Sequence, residues 1–445
     1  MKIKIRKLLL SLCTFAVLVF FFSISIGATK DVNEMEFSFT ENDGSVYLYN
    51  YDSDRVLVSH GADKVALPVS SAKMMAGLLV CENYADRLDE RVIITEEMLR
   101  GSEGTSMKLR LGMDVSLRDL LWGTVCGGNN DAAIAMAVYC AGSVSSFVNQ
   151  MNNFAAHLNM VNTQYKNPTG LDVEGAKTTL SDFAKLSRRA AKNDTYVEIS
   201  SAPYFTFTPS GEAEITVYNR NALESQFSAT GYINKHVKGL ISGNTDGGGY
   251  VLATLAQKDG MSYLCVIMGA QSDANNIYSY RTANKLLDYV FKHYSFQKIA
   301  SVGQEFASAE IEYTLAKGEK ISLPCIVSSD LYAFLDDGVS LKNDLTYKTY
   351  LHDQPLSAPV SKGDVVGGLD VCLGDRVICR AKLYASEDVE ANIILNTVRV
   401  MKNAIFSRVF IIGALLSVAS VVACLYFENI ILRRKKTMRT RFKNL

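Results

Sequence analysis

The chain has no Cys-x-x-Cys pair, no His-Glu-x-x-His and no histidine-rich tract; its five histidines, His60, His157, His236, His293 and His352, are scattered. A metal centre on the usual ligand spacings therefore has no support, and no cofactor is implied. The cysteines supply no disulfide framework either. Of the nine, Cys13 and Cys424 lie in hydrophobic ends, which leaves Cys81, Cys126, Cys140, Cys265, Cys325, Cys372 and Cys379. An odd set at irregular spacing reads as single buried thiols acting as small hydrophobes. Internal repeats and low-complexity stretches are absent too, which excludes repeat architectures.

Net charge is also missing, with 46 basic against 46 acidic residues, but the zero conceals an asymmetry. Lys2, Lys4, Arg6 and Lys7 precede an almost wholly apolar or small run from Leu8 to Ala28 that ends on Ile26-Gly27-Ala28. That pattern makes residues 1–28 a secretory signal, with an uncleaved membrane helix as the alternative because the run is long. Both place the residues after Ala28 outside the cytoplasm. Val409 to Phe427 carries no charge and is about long enough to cross a hydrocarbon core, so residues 404–427 are expected to span a membrane. Residues 428–445 hold Arg433, Arg434, Lys435, Lys436, Arg439, Arg441 and Lys443, the basic flank of a cytoplasmic side. Contact with anionic lipid explains such a tail better than nucleic acid does. Between the ends, residues 29–403 carry roughly −11, which argues against a nucleic-acid partner. Their number exceeds one ordinary core, so two domains are expected.

Ser45 to Asp52 and Val56 to Val58 are rich in β-formers around a turn and predict a hairpin. Apolar residues at helical spacing come next over Val69–Tyr84, Leu117–Tyr139, Val144–Leu158 and Leu180–Ala191, with a turn at Asn167-Pro168-Thr169-Gly170. Strand patterning returns at Val237–Ile241, Tyr250–Ala256 and Tyr263–Met268, an antiparallel meander, before a helix over about Ala274–His293. This order suits a mixed α/β domain whose first and last strands are neighbours. Beyond Phe296, short segments such as Ile311–Leu315, Leu331–Leu335, Leu345–Leu351 and Val365–Cys372 predict a small β-sandwich, and Ser386–Arg399 a helix leading into the span.

Ser70 and Lys73 stand three apart where a helix should begin, so their side chains share a face. A serine hydroxyl is a poor nucleophile until a base takes its proton, and a lysine serves if desolvation lowers its pKa. Leu67-Pro68-Val69 and Met74-Met75-Ala76 are apolar enough to help. Alone the match is weak, since about two Ser-x-x-Lys runs arise by chance in such a length.

Its context is specific. Leu67-Pro68-Val69-Ser70-Ser71-Ala72-Lys73 resembles the Pro-Ala-Ser-x-x-Lys motif of the low-molecular-weight penicillin-binding proteins, the serine D-Ala-D-Ala carboxypeptidases. The resemblance continues through Gly104-Thr105-Ser106-Met107-Lys108-Leu109, Leu117 to Gly123, Asn130-Asp131-Ala132-Ala133, Asn167 to Asp172 and Gly249-Tyr250. Ala358 to Gly367 looks like that family's β-rich C-terminal domain. It implies a transpeptidase-like domain of antiparallel sheet and helical block over residues 35–296, a small all-β domain over 297–390, and then the membrane helix. It also implies peptidoglycan stem peptides and β-lactams as partners. Ser70 would attack the penultimate D-alanine carbonyl, Lys73 would be the base, and Ser70's own amide would join the oxyanion hole. Asn130 would hold the substrate amide and Lys73, and Ser242, Gly243 and Asn244 would bind substrate along a strand.

Two positions depart from the family pattern. The serine of Ser-x-Asn falls on Gly128, and the lysine of Lys-Thr-Gly falls on Ile241. A lost proton-transfer group is worth roughly 10² to 10⁴ in rate, and a lost charged hydrogen bond about 10- to 150-fold. Without the second cation Lys73 should deprotonate less readily. Lys235, His236 and Lys238 lie upstream as replacements, but Lys238 would face the other way if the strand runs that far. Two functions therefore stand: an active carboxypeptidase, or a catalytically impaired homologue that binds muropeptide or a wall partner. A β-lactamase fits the span and the second domain less well.

Overall fold

The computed structural model describes residues 32–442 except 34, 36, 313, 315–320, 353 and 354; the signal segment 1–28 lies outside them. The chain divides into two compact units at His293/Tyr294.

The first unit is built on a six-stranded sheet. Its strands are β1 (Val32–Asn33), β2 (Ser45–Asn50), β3 (Arg55–His60), β4 (Val237–Thr245), β5 (Gly249–Lys258) and β6 (Met261–Ala270), in the order β1-β3-β2-β6-β5-β4. The early hairpin thus pairs with the late meander, with Tyr263 opposite Asn50 and Met268 opposite Ser45. Six consecutive residues of β6, Tyr263 to Met268, are buried, as in a central strand covered on both faces. The first strand of the meander, β4, is left at an edge.

Between the two halves of the sheet lie α1 (Ser71–Asn83), α2 (Leu117–Val125), α3 (Asn130–Ala141), α4 (Val144–His157), α5 (Leu180–Ala190) and α6 (Asp194–Ser201), while α7 (Tyr278–His293) closes the unit. Ser71 to Cys81 of α1 are all buried, as expected of a helix that is apolar all round. Met74, Met75, Leu78 and Leu79 are at most 1% exposed, and each contributes about 1.5–3 kcal/mol by leaving water. Leu78→Ala is expected to cost about 2–5 kcal/mol, read as a lower unfolding midpoint in urea or on heating. On the opposite face of the sheet α7 buries Tyr280, Ala283, Leu286, Leu287 and Val290. Burial raises the thiols of Cys81, Cys126 and Cys265 to about 12, so they pack as hydrophobes.

Three elements differ from expectation. The single helix expected over Leu117–Tyr139 is two, because Cys126-Gly127-Gly128-Asn129 forms a turn in which Gly128 has φ +62 and Asn129 caps α3. The Gly127-Gly128 pair followed by Asn129-Asn130-Asp131 is a turn signal in its own right, set between the two apolar stretches that suggest one helix. A hairpin of Tyr204–Phe207 and Ile215–Tyr218 lies in a stretch with no strand expected. The helix expected from Ser386 begins only at Ile393, since Val389 pairs with Val360 in a β-bridge.

The second unit contains β7 (Tyr294–Ala300), β8 (Glu305–Glu312), β9 (Ile321–Ile326), β10 (Leu331–Asp336), β11 (Leu345–Leu351), β12 (Leu356–Ser357), β13 (Val365–Leu373) and β14 (Arg376–Ala385). Six form a sheet in the order β11-β13-β14-β9-β8-β12, and β7 pairs with β10. Ile299, Ala333 and Leu335 of the pair share one core with Leu323, Leu369, Val371 and Leu383 of the sheet. Two helices come after them, α8 (Ile393–Ile405) and α9 (Arg408–Phe442). Phe410–Phe427 of α9 is long and apolar enough to cross a membrane, about 27 Å at the helical rise.

Candidate active site

Ser70 is the N-cap of α1. The residue before it, Val69, has φ +49, a left-handed conformation that β-branched residues rarely adopt. Gly170, at φ +76, approaches the Val69 carbonyl so closely that a Cβ there would overlap it. Strain held in place by its surroundings, directly before a chemically able side chain, marks a functional turn.

Above Ser70 runs the edge strand β4. Gly243 faces the hydroxyl, and a Cβ at 243 would overlap Ser70 Oγ. Side chains alternate along a strand, so Ile241 turns to the same face as Gly243, where it sits 3% exposed in the core shared with the helical block. Ser242 turns to the other face, and its Oγ accepts from the Tyr280 hydroxyl of α7 at 3.1 Å. Asn244, next along the strand, is exposed. A β-bulge between Lys238 and Leu240 breaks the alternation upstream; Lys238 and Lys235 are exposed and Ile241 has no cation beside it on its own strand.

Lys73, one turn into α1, is buried, and Nζ donates to the Thr169 carbonyl at 2.5 Å. The turn that presents this carbonyl is made by Asn167, whose Oδ1 accepts from Thr169 Oγ1 at 2.9 Å and from the Gly170 amide at 2.6 Å. Burial brings Lys73 down to about 7, and the positive charge of Arg220 acts in the same sense. A carbonyl partner holds the amine without the charge that a carboxylate would add in favour of the ammonium. The neutral amine is the base, so acylation is expected to rise about tenfold per pH unit below pH 7 and to level off above it, measured as the pH profile of labelling by a fluorescent penicillin.

Asn130 is the first residue of α3. Its amide donates to the Thr105 carbonyl at 2.7 Å, its Nδ2 donates to the Glu103 carbonyl, and its Oδ1 is buried without a partner. Among the described residues there is no hydrogen bond between Asn130 and Lys73, whose ammonium goes to Thr169 instead. The neighbouring Asp131 accepts from Ser106 Oγ at 2.6 Å and from the amides of Met107 and Leu109 at 3.0 and 3.1 Å, which ties the 104–109 stretch to the start of α3.

Sequence reasoning missed Arg220. It stands just after the unexpected hairpin, in no motif, and only the fold brings it to the turn at Gly128: its Cγ is 3.2 Å from where a Cβ at 128 would stand. Its backbone is clamped. The amide donates to the Cys126 carbonyl at 3.1 Å, while Asn219 Nδ2 donates to the carbonyls of Ser200 and Ala202 at 2.9 and 2.7 Å. Arg220 lines a cavity of about 410 Å³ together with Thr105, Lys108, Gly127, Asn129, Val217 and Phe227.

A sheet edge laid over a helix-capping serine is the architecture of the penicillin-binding serine enzymes, and this is their fold. Residues 34–272 match the D-alanyl-D-alanine carboxypeptidase family, and residues 294–391 match the penicillin-binding protein 5 C-terminal domain. The chain is 31% identical to D-alanyl-D-alanine carboxypeptidase DacC of Escherichia coli over 355 residues, 77% of this chain and 83% of that one. It is 26% identical to DacF of Bacillus subtilis over 352 residues, 78% and 85% of the two chains. Penicillin binding protein 5 from Haemophilus influenzae superposes with a TM-score of 0.55 at 25% identity, covering 80% of this chain and 99% of that one. The chain belongs to the D-alanyl-D-alanine carboxypeptidase family.

Proposed function

We propose that this protein removes the terminal D-alanine from peptidoglycan stem peptides through an acyl-enzyme on Ser70. One observation carries the assignment: Ser70 Oγ lies directly beneath Gly243 of the free strand edge, one helical turn from an amine brought down to about 7. A stem peptide added along the edge of β4 brings its backbone past Ser242, Gly243 and Asn244, as in strand addition generally. Ser70 Oγ then bonds to the penultimate D-alanine carbonyl carbon, and its proton passes to Lys73. The carbon–nitrogen bond breaks, D-alanine leaves with that proton on its amine, and water resolves the ester. The buried, unpartnered Asn130 Oδ1 suits a substrate amide N–H.

The impaired-homologue reading is not favoured, because the named carboxypeptidases match most of the chain. The catalytic domain is assigned to residues 35–296 and the β-rich domain to 297–390. Span 404–427 anchors them to the membrane, with the catalytic part outside and the basic tail 428–445 inside.

The test is to label the full-length protein with a fluorescent penicillin, to locate the adduct by peptide mass spectrometry, and to measure D-alanine released from a pentapeptide. Label on the peptide containing Ser70 together with D-alanine release is the expected result. An adduct elsewhere refutes the nucleophile, and labelling without release refutes the carboxypeptidase activity.

A further inference from the structure

Resting on that reading of the site, we propose that Glu224 is a positioning residue of the reaction: its carboxylate holds the β-bulge of β4 and so fixes which residues of the substrate-binding strand stand over Ser70.

Strand β4 shifts its register against β5 between Lys238 and Leu240. Lys238 pairs with Leu255 and Leu240 with Thr254, so Gly239 is an extra residue with no opposite number in the ladder. Its backbone suits glycine alone: φ is +36, and a Cβ there would overlap Ser200 at the end of α6. An inserted residue leaves its amide without a ladder acceptor, and here the Glu224 carboxylate accepts that hydrogen bond. Because side chains alternate along a strand, the bulge decides the facing of every residue after it. With the bulge in place Gly243 faces Ser70 and leaves room for the hydroxyl. A slip of one residue would bring Ser242 or Asn244 onto that face, where even a single Cβ overlaps Ser70 Oγ.

The backbone that carries the carboxylate is itself held. The amides of Glu224 and Ser225 both donate to the Asn221 carbonyl at 3.0 Å, and Asn221 Oδ1 accepts from the Leu223 amide at 3.1 Å. The Leu223 carbonyl accepts from the Asn234 amide at 3.1 Å, which ties this turn to the segment entering β4. Glu224 is half-buried; its charge is felt at the Cys126 thiol, at the C-terminus of α2, and Lys238 of β4 is the cation beside it. Burial pushes its carboxyl up to about 7, against the hydrogen bond from Gly239 and the charge of Lys238. The bond does not need the charge, because a protonated carboxyl still offers a carbonyl oxygen to the Gly239 amide. Gly239 precedes Gly243 by four residues, about 13 Å along an extended strand, so Glu224 acts through the strand and not at the reacting atoms.

The experiment compares the full-length protein with Glu224→Leu, Glu224→Asp and Glu224→Gln. Acylation by a fluorescent penicillin is followed over a range of concentrations, and each rate is expressed per site that finally takes the label, so that misfolded protein does not count. Glu224→Leu leaves the Gly239 amide without its acceptor and is expected to lower the rate per site about 10²-fold, the scale of a displacement of about 1 Å. Glu224→Gln keeps a carbonyl oxygen at the same reach and should restore most of that rate. Glu224→Asp keeps the charge but is one methylene short, and should fall between the two; where Glu224→Leu does not fold, the Asp and Gln variants carry the comparison. Hydrogen exchange of the peptide spanning 237–245 should quicken in the Leu and Asp variants and not in the Gln variant. A purely structural role predicts a lower unfolding temperature and fewer labelled sites, each reacting at the wild-type rate. That result, or a Gln variant no faster than the Asp variant, overturns the proposal. Acylation is read before any D-alanine is released, so a protein that takes penicillin without trimming a pentapeptide counts against the carboxypeptidase reading alone.

Discussion

Alanine at Ser70 is expected to abolish covalent labelling by penicillin and to lower D-alanine release on the order of 10⁴- to 10⁶-fold, the scale seen when a serine nucleophile is removed from a working set. No other hydroxyl among the described residues is placed to replace it. Ser71 begins α1 and is fully buried, and Ser242 points to the opposite face of the strand, toward Tyr280. Binding of the stem peptide should survive, because the strand edge and Asn130 are untouched. Thermal stability should change little, since the hydroxyl makes no capping hydrogen bond to its helix. A Ser70→Ala protein that still acquires the label at the wild-type rate would remove the basis of the assignment.

Gly243→Ala is the second large effect, and its cause is steric. The strand conformation at 243 is open to any residue, so a new methyl group introduces no backbone strain; it meets Ser70 Oγ itself. Either β4 lifts from the helix terminus or the serine leaves its rotamer, and both move the nucleophile from the strand that holds the substrate. A displacement of about 1 Å costs on the order of 10²-fold in rate. Acylation by penicillin and turnover of the pentapeptide should fall together by at least that factor, while the circular dichroism spectrum is preserved. Wild-type acylation by Gly243→Ala would show that the substrate strand does not run over Ser70.

Much of this architecture is legible in the sequence. The hairpin, the closing meander and the β-rich second unit are marked by period-two patterning and turn residues, which act locally. Ser70, Lys73, Gly243 and the Asn167 turn sit in short runs whose chemistry is complete within a few residues. The features that escape such reading are long-range. The break at Gly128 is the exception, since Gly127-Gly128-Asn129 is a local turn signal and φ +62 at Gly128 is the conformation glycine permits. Lys73 donates its hydrogen bond to Thr169, 96 residues away, rather than to Asn130. Arg220 has no spacing relation to any motif, and its proximity to Gly128 exists only after the 204–218 hairpin has formed.

The contact between Gly128 and Arg220 closes position 128 to side chains. Serine at 128 would have to adopt φ +62, which a side chain resists, and its Cβ would press on Arg220 at 3.2 Å. Gly128→Ser alone is therefore expected to slow turnover rather than to raise it. Lysine at 241 would have to bury its charge where Ile241 is 3% exposed in the apolar core. Restoring the family's motif residues singly therefore disturbs packing at both positions and is a poor guide to how this site works.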